Sequence, residues 1–316
     1  MSEILRLAPA FKDYLWGGSI IKNKYNITDM DKVAEAWVLS THKDGQSVVD
    51  GGALSGKTLS EAIAVLGEKA LGKKAAEFEM FPQMLKIIDA RQSLSIQVHP
   101  SDEYALENEG QYGKTEMWYI LDAKEGAGIY YGVKEEMTAQ EFRNALSSNT
   151  VEEVLRFVPC KKGESYFIPS GTIHAIGAGL LIAEVQQNSN VTYRVYDFGR
   201  VGVDGKPREL HTEKALKVSN LSPMKGAEHS GTEILNGGSK TLLSECPYFS
   251  ATKLVMNGEY KFAPCDSFVC VFIAEGEGEI NGEKFGRFDT FFVPADMSEV
   301  TLSGDFEAII TDCPGK

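Results

Sequence analysis

The sequence is short of positive charge and has neither a membrane-length apolar run nor a paired cysteine motif. Each lack narrows what the chain can be. Lys and Arg total 32 against 45 Asp and Glu, a formal net charge of -13. Such a field repels nucleic acid and anionic membranes, so neither is expected as a partner. An anionic substrate has to be drawn in by a local basic cluster. The five cysteines, Cys160, Cys246, Cys265, Cys270 and Cys313, are odd in number, scattered and without a C-x-x-C pair. This argues against a disulfide framework or a cysteine zinc site and reads as reduced, buried thiols. No run of about 18 apolar residues occurs, and Glu3, Arg6, Lys12 and Asp13 interrupt the place where a signal peptide has its hydrophobic core. A cytoplasmic protein is expected.

What is present is an ordinary globular composition, 43% hydrophobic and 24% charged over 316 residues, enough for about two domains with their own cores. The first is read as 1–221, a Ser-, Gly-, Lys- and Asn-rich linker as 222–240, and the second as 241–316. Short strand-like runs dominate, with helical spacing confined to 58–78, where Ser60 is a plausible N-cap, and to about 138–157, opened by the capping-box pattern Thr138-Ala139-Gln140-Glu141. A further short helix is expected from Thr212 to Val218, with His211 at its cap. The fold class is mainly β.

The chemistry gathers in two stretches. In Leu94-Ser95-Ile96-Gln97-Val98-His99 apolar and polar residues alternate, the period of a strand with one dry and one polar face, so Ser95, Gln97 and His99 point one way. Gln97 and His99 can touch one metal ion from a single strand, and Glu116, opening the run Glu116-Met117-Trp118-Tyr119-Ile120-Leu121, offers a carboxylate. In Gly163 to His174 a strand meets a Pro/Gly-punctuated turn that delivers a second imidazole. Singly, each residue is an ordinary strand residue. Together, two histidines, a carboxylate and an amide on half-buried strands make a metal the cheaper explanation.

Other residues are less decided. Lys86 lies in the otherwise apolar strand Phe81 to Asp89, and a buried lysine needs an anion, either a structural carboxylate or a substrate phosphate. Arg194 and Arg200, a strand plus a turn apart, suit an oxyanion or a phosphate monoester, or else pair with Glu184 or Asp197. Beyond the linker, Phe291-Phe292-Val293-Pro294-Ala295 echoes Tyr166-Phe167-Ile168-Pro169-Ser170, but Glu299 stands where His174 stands in the first copy. The second unit is therefore expected to brace the first without a metal.

The spacing of Gly163, Pro169, Gly171 and His174 resembles the second motif of the cupin superfamily, a jelly-roll type β-barrel. The first motif is altered, with Gln97 in place of its first histidine and a long insertion before Glu116. More specifically, Ser95 to Pro100, Gly113 to Tyr119, Pro169 to His174, and Arg194 together resemble the type I mannose-6-phosphate isomerase family in its short bacterial form. The likeness runs over nearly the whole chain, including the opening Tyr14-Leu15-Trp16-Gly17-Gly18. It implies a cupin barrel with helical insertions and a second, degenerate cupin-like β domain. It also implies zinc held by Gln97, His99, Glu116 and His174, Arg194 as the active-site arginine, and a sugar phosphate held by Ser95, Lys86 and Arg200. Ala178, where cupins often carry asparagine, lies outside that shell. The implied reaction interconverts mannose 6-phosphate and fructose 6-phosphate by moving a proton between C1 and C2 through an enediolate.

Several points stay open at this stage. Glu35, Glu184, Lys86 and Asp197 are all candidate bases, and an N/O donor set admits zinc, manganese, iron or cobalt. Two histidines and a carboxylate also mark non-haem Fe(II) oxygenases, a reading opposed by the Gln97 amide and the arginines. A non-catalytic sugar-binding cupin is the third reading, and it would be favoured by a missing ligand. The sequence does not set the oligomeric state.

Overall fold

The computed structural model describes residues 3–202, 205–224 and 231–315. Among them three antiparallel sheets of nine, six and five strands stack in layers. The layering follows from the side-chain period of two. In the strand Leu180–Gln187, Leu181, Ala183 and Val185 join one core, while Leu180 and Ile182 join another on the opposite face. A strand buried on both faces is the centre of a stack.

The six-stranded sheet is that central layer. One face meets the five-stranded sheet across a core containing Trp118, Ile120, Ile182, Ile129 and Ile176, which closes the first barrel. Its other face packs on aromatics of the C-terminal sheet, among them Phe249, Phe268, Phe272 and Phe292. The C-terminal sheet then encloses a further apolar core on its far side. Tyr119 reaches across the junction to donate to Glu307 at 2.7 Å.

The outer face of the five-stranded sheet is covered by the helices Ala139–Ser147 and Thr212–Val218. Ile96, Val98, Ile173, Ala175, Tyr193 and Val195 form this outer core with Phe142. They alternate with Gln97, His174 and Arg194, so packing these helices turns the polar residues inward. Phe142→Ala, which empties a fully buried aromatic site, is expected to cost about 3–5 kcal/mol of stability. Denaturant unfolding of the purified protein measures it.

Several sequence expectations need correction. The insertion at 58–78 is two helices, Leu59–Leu66 and Glu68–Ala75, and Thr58 rather than Ser60 caps the first, in a capping box with Glu61. Of the expected helical stretch from Thr150 to Phe157 only Val151–Val154 is helical; Leu155–Pro159 is a strand on the edge of the five-stranded sheet. Part of the expected linker, 225–230, lies outside the described residues. The rest of it is not all loop, because Thr232–Leu235 and Gly238–Glu245 are strands joined by the two-residue turn Asn236-Gly237. Nor do the sheets divide cleanly at that point, since Leu5–Ala8 pairs with Thr290–Val293, and Val48–Val49 with Leu5–Ala8, as the last strands of the C-terminal sheet. Cys160, Cys270 and Cys313 are buried as expected, whereas Cys246 is half-buried and Cys265 exposed. None of the helices among the described residues is long and apolar enough to cross a membrane.

Candidate active site

Sheet register assembles the site. Gln97 pairs with His174 on one side and Arg194 on the other, so the three lie in one row across the five-stranded sheet. Glu116 comes from the facing six-stranded sheet, and His99 follows the strand Ile96–Val98. The turn before His174 depends on Gly171, whose φ of +85° favours glycine and whose amide donates to the His99 carbonyl at 2.8 Å. This bond ties together the stretches that carry His99 and His174.

His99, Glu116 and His174 bring one donor atom each to within 4.8 Å of one another, fully buried. Each imidazole is aimed by its far nitrogen. Nδ1–H of His99 donates to the Val191 carbonyl at 2.8 Å and that of His174 to the Thr172 carbonyl at 2.9 Å, leaving both Nε2 lone pairs facing inward. Glu116 Oε1 lies 3.3 Å from His174 Nε2, and Oε2 lies 3.7 Å from His99 Nε2. Oε1 makes no hydrogen bond among the described residues, while Oε2 faces the Lys114 ammonium at 2.7 Å. Burial holds the His99 pKa well below the ordinary range and pushes that of His174 down to about 4, so both rings stay neutral at pH 7. Two neutral imidazoles converging on a buried carboxylate are a donor set that a cation would satisfy. Gln97 joins them, its amide nitrogen 3.4 Å from His174 Nε2, and turning the amide over presents its oxygen instead.

Beside these groups runs a chain of alternating charge. Glu35 and Glu184 lie 3.7 and 3.6 Å from Lys86, Glu184 lies 3.4 Å from Lys114, and Lys114 lies 2.7 Å from Glu116 Oε2. Trp37 and Trp118 donate their indole N–H groups to Glu35 and Glu184 at 2.6 and 2.7 Å, and fix both carboxylates. Burial works against an ionised Glu184, but Lys114 and Lys86 override it and hold its pKa below the usual carboxylate range. For Glu116 the balance is reversed: burial, reinforced by Glu184, raises its pKa above the usual range despite Lys114. The anions nearest Lys86 in this structure are the Glu35 and Glu184 carboxylates.

A cleft of about 280 Å³ opens onto this array. Ser95, Lys86, Gln97 and Arg194 line it, as do Glu35 and Glu184. Arg200 does not; its guanidinium is held by Asp197 and by the Ser93 carbonyl, to which Nη1 donates at 2.5 Å. Asp197, an expected candidate base, is likewise engaged by Arg200 and Arg208. Two residues of the site escaped sequence reasoning, Lys114 and Arg208. Lys114 had a signal, since it stands two residues before Glu116 and shares its face; Arg208 lies in an irregular loop and had none.

Similarity to known proteins runs over nearly the whole chain. Residues 4–143 match the family model of the phosphomannose isomerase type I catalytic domain, and 239–312 that of the mannose-6-phosphate isomerase cupin domain. The chain is 37% identical to the mannose-6-phosphate isomerase ManA of Bacillus subtilis, over 98% of this chain and 99% of that one. It is 35% identical to the mannose-6-phosphate isomerase of Streptococcus mutans, with 98% of each covered. The crystal structure of mannose 6-phosphate isomerase from Bacillus subtilis superposes with a TM-score of 0.90 at 36% identity, covering 98% of this chain and 99% of that one. A putative mannosephosphate isomerase from Archaeoglobus fulgidus, at 21% identity and a TM-score of 0.78, covering 99% of this chain and 97% of that one, shares the fold. On these grounds the chain belongs to the type I phosphomannose isomerase family.

Proposed function

We propose that the chain interconverts mannose 6-phosphate and fructose 6-phosphate at the cleft where Gln97 and Arg194 meet. The observation that carries the site assignment is the buried His99–Glu116–His174 cluster next to a cleft that ends in arginines. Family membership over both ends of the chain sets aside the oxygenase and non-catalytic readings. In this reading the substrate is a small sugar phosphate met in the cytoplasm, and neither nucleic acid nor membrane takes part.

Gln97, His99, Glu116 and His174 would hold zinc, which when bound supplies Lewis-acid polarisation of a sugar oxygen. The chain's own residues do the rest. Isomerisation takes a proton from C2 of the open-chain aldose, forms an enediolate, and returns a proton to C1, while the O2 hydroxyl loses its proton and O1 gains one. Of the four candidate bases Glu35, Glu184 and Lys86 line the cleft, whereas Asp197 is occupied by arginines. Glu184 is our assignment for the base, being ionised, fixed by Trp118 and beside Lys114, which spans Glu184 and Glu116. Arg194 stabilises the negative charge that develops on the enediolate oxygens. Ser95, 3.4 Å from Gln97 Oε1, adds a hydroxyl to the same wall.

The test is conversion of mannose 6-phosphate by the purified protein before chelation, after it, and after zinc is returned. Activity lost on chelation and regained with zinc is expected. A folded, metal-loaded sample without isomerase activity would end this reading.

A further inference from the structure

Gln186 stands one residue from the end of the strand Leu180–Gln187, fully buried and opposite Glu116 across the strand pair. It does not line the cleft. Its Nε2 donates to the Gln187 carbonyl at 2.6 Å and to the Ser189 carbonyl at 2.7 Å, so both amide hydrogens are used. Its Oε1, buried too, has no hydrogen-bond partner among the described residues. A buried acceptor left unmet costs about 1–3 kcal/mol, which an apolar side chain of similar length avoids. Packing alone therefore favours methionine here, and the two donor bonds are what the amide adds.

Those bonds hold the bend that follows the strand, and the bend aims His99. The Gln187 carbonyl also accepts from Ser189 N–H at 2.7 Å, which tightens the chain there. Ser189, fully buried, donates its hydroxyl to the Tyr112 carbonyl at 2.8 Å and accepts from Val191 N–H at 3.3 Å. The Val191 carbonyl in turn accepts from Nδ1–H of His99 at 2.8 Å. Three links thus run from the Gln186 amide to the imidazole. We infer that Gln186 is a positioning residue for the proposed metal centre. It sets the bend at 187–189, and through it the carbonyl that keeps the His99 proton on Nδ1 and the Nε2 lone pair free for a cation. Lys114, 3.4 Å from that Nε2, is drawn off by Glu116 at 2.7 Å and does not set the ring alone. The inference rests on the metal-site reading and deepens it.

The experiment compares the parent with Gln186→Met and with Phe142→Ala, a variant loosened away from the site. Each zinc-loaded protein is titrated with a chromophoric chelator to give its zinc dissociation constant. The two ring nitrogen shifts of His99, which report where its proton sits, are read by NMR after the zinc is stripped. For Gln186→Met the zinc constant is expected to rise about ten- to a hundredfold, the scale on which partners of metal ligands act, while Phe142→Ala stays within about twofold. The two nitrogen shifts should move toward each other in Gln186→Met, because the proton is no longer confined to Nδ1. A zinc constant within twofold of the parent overturns the inference, as does an equal rise in both variants. Unchanged nitrogen shifts overturn it too, since the amide would then not reach His99. If Gln186→Met does not fold, Gln186→Asn is read instead. Its amide is one methylene shorter and gives up at least one of the two carbonyls, so a severalfold rise with displaced nitrogen shifts is expected; an unchanged constant or unchanged shifts overturn the inference. A parent that binds no zinc would count against the metal-site reading alone. The nitrogen shifts of parent and variant would then decide Gln186, equal shifts overturning its role.

Discussion

His174→Ala is expected to lose the bound metal and to lower kcat/KM by about a thousandfold or more. The imidazole is fully buried, is aimed by its bond to the Thr172 carbonyl, and offers one of three converging donor atoms. Alanine removes that donor and leaves Glu116 Oε1 without its neighbour, with Lys114 on Oε2 the remaining close cationic partner. Lewis-acid polarisation is worth several kcal/mol to a reaction that develops an oxyanion, which sets the thousandfold scale. Elemental analysis of metal per chain and an isomerase assay are read together, with circular dichroism showing that the variant is folded. A folded His174→Ala protein that keeps a full equivalent of metal would remove His174 from the ligand set, whatever its activity.

The stretches that bring His99, Glu116 and His174 together were legible because local pattern and tertiary position coincide there. Strict alternation from Leu94 to His99 fixes which side chains share a face, and the packing of Ile96 and Val98 under the outer helices decides that the other face looks into the barrel. The Pro169-to-His174 turn is equally local, its shape set by Gly171 and by the bond from Thr172 N–H to the Pro169 carbonyl. Lys114 was harder. A lone lysine after glycine reads as solvent-exposed, and only the close approach of Gly113, where a Cβ would come within 2.4 Å of the Ser101 carbonyl carbon, draws it inward beside Glu116.

Arg200 and Arg208 show the opposite limit. Arg200 sits where a strand runs into a turn and looked like an anion ligand, yet its partners are the Ser93 carbonyl, 107 residues away in sequence, and Asp197. Nothing periodic marks Arg208. Its place in the cleft is set by Asp197, and that pairing belongs to loop closure. The misread linker has another cause: Asn236-Gly237 is a hairpin turn between two short strands, but the polar residues around it have the composition of a flexible segment.

Arg194→Ala is expected to keep the metal and to lower kcat by about a hundred- to a thousandfold, the scale on which a charge-stabilising donor acts in a water-poor site. The residue stands beside Gln97 across the strand pair, so its side chain starts from the edge of the ligand set without belonging to it. Its guanidinium stays charged, and its buried Nε, without a hydrogen-bond partner among the described residues, could donate to an oxygen that arrives with the substrate. Arg194→Lys should recover only part of the rate, because an ammonium restores the charge but not the planar fork. The loss should fall on kcat more than on KM, since a group that meets developing charge acts on turnover. A variant with full metal and unchanged kcat would place Arg194 outside the chemistry, whereas loss of metal would make it a support for Gln97. The wall of the cleft would then hold the sugar, and the charge developed in the enediolate would fall to Lys114 and the metal centre.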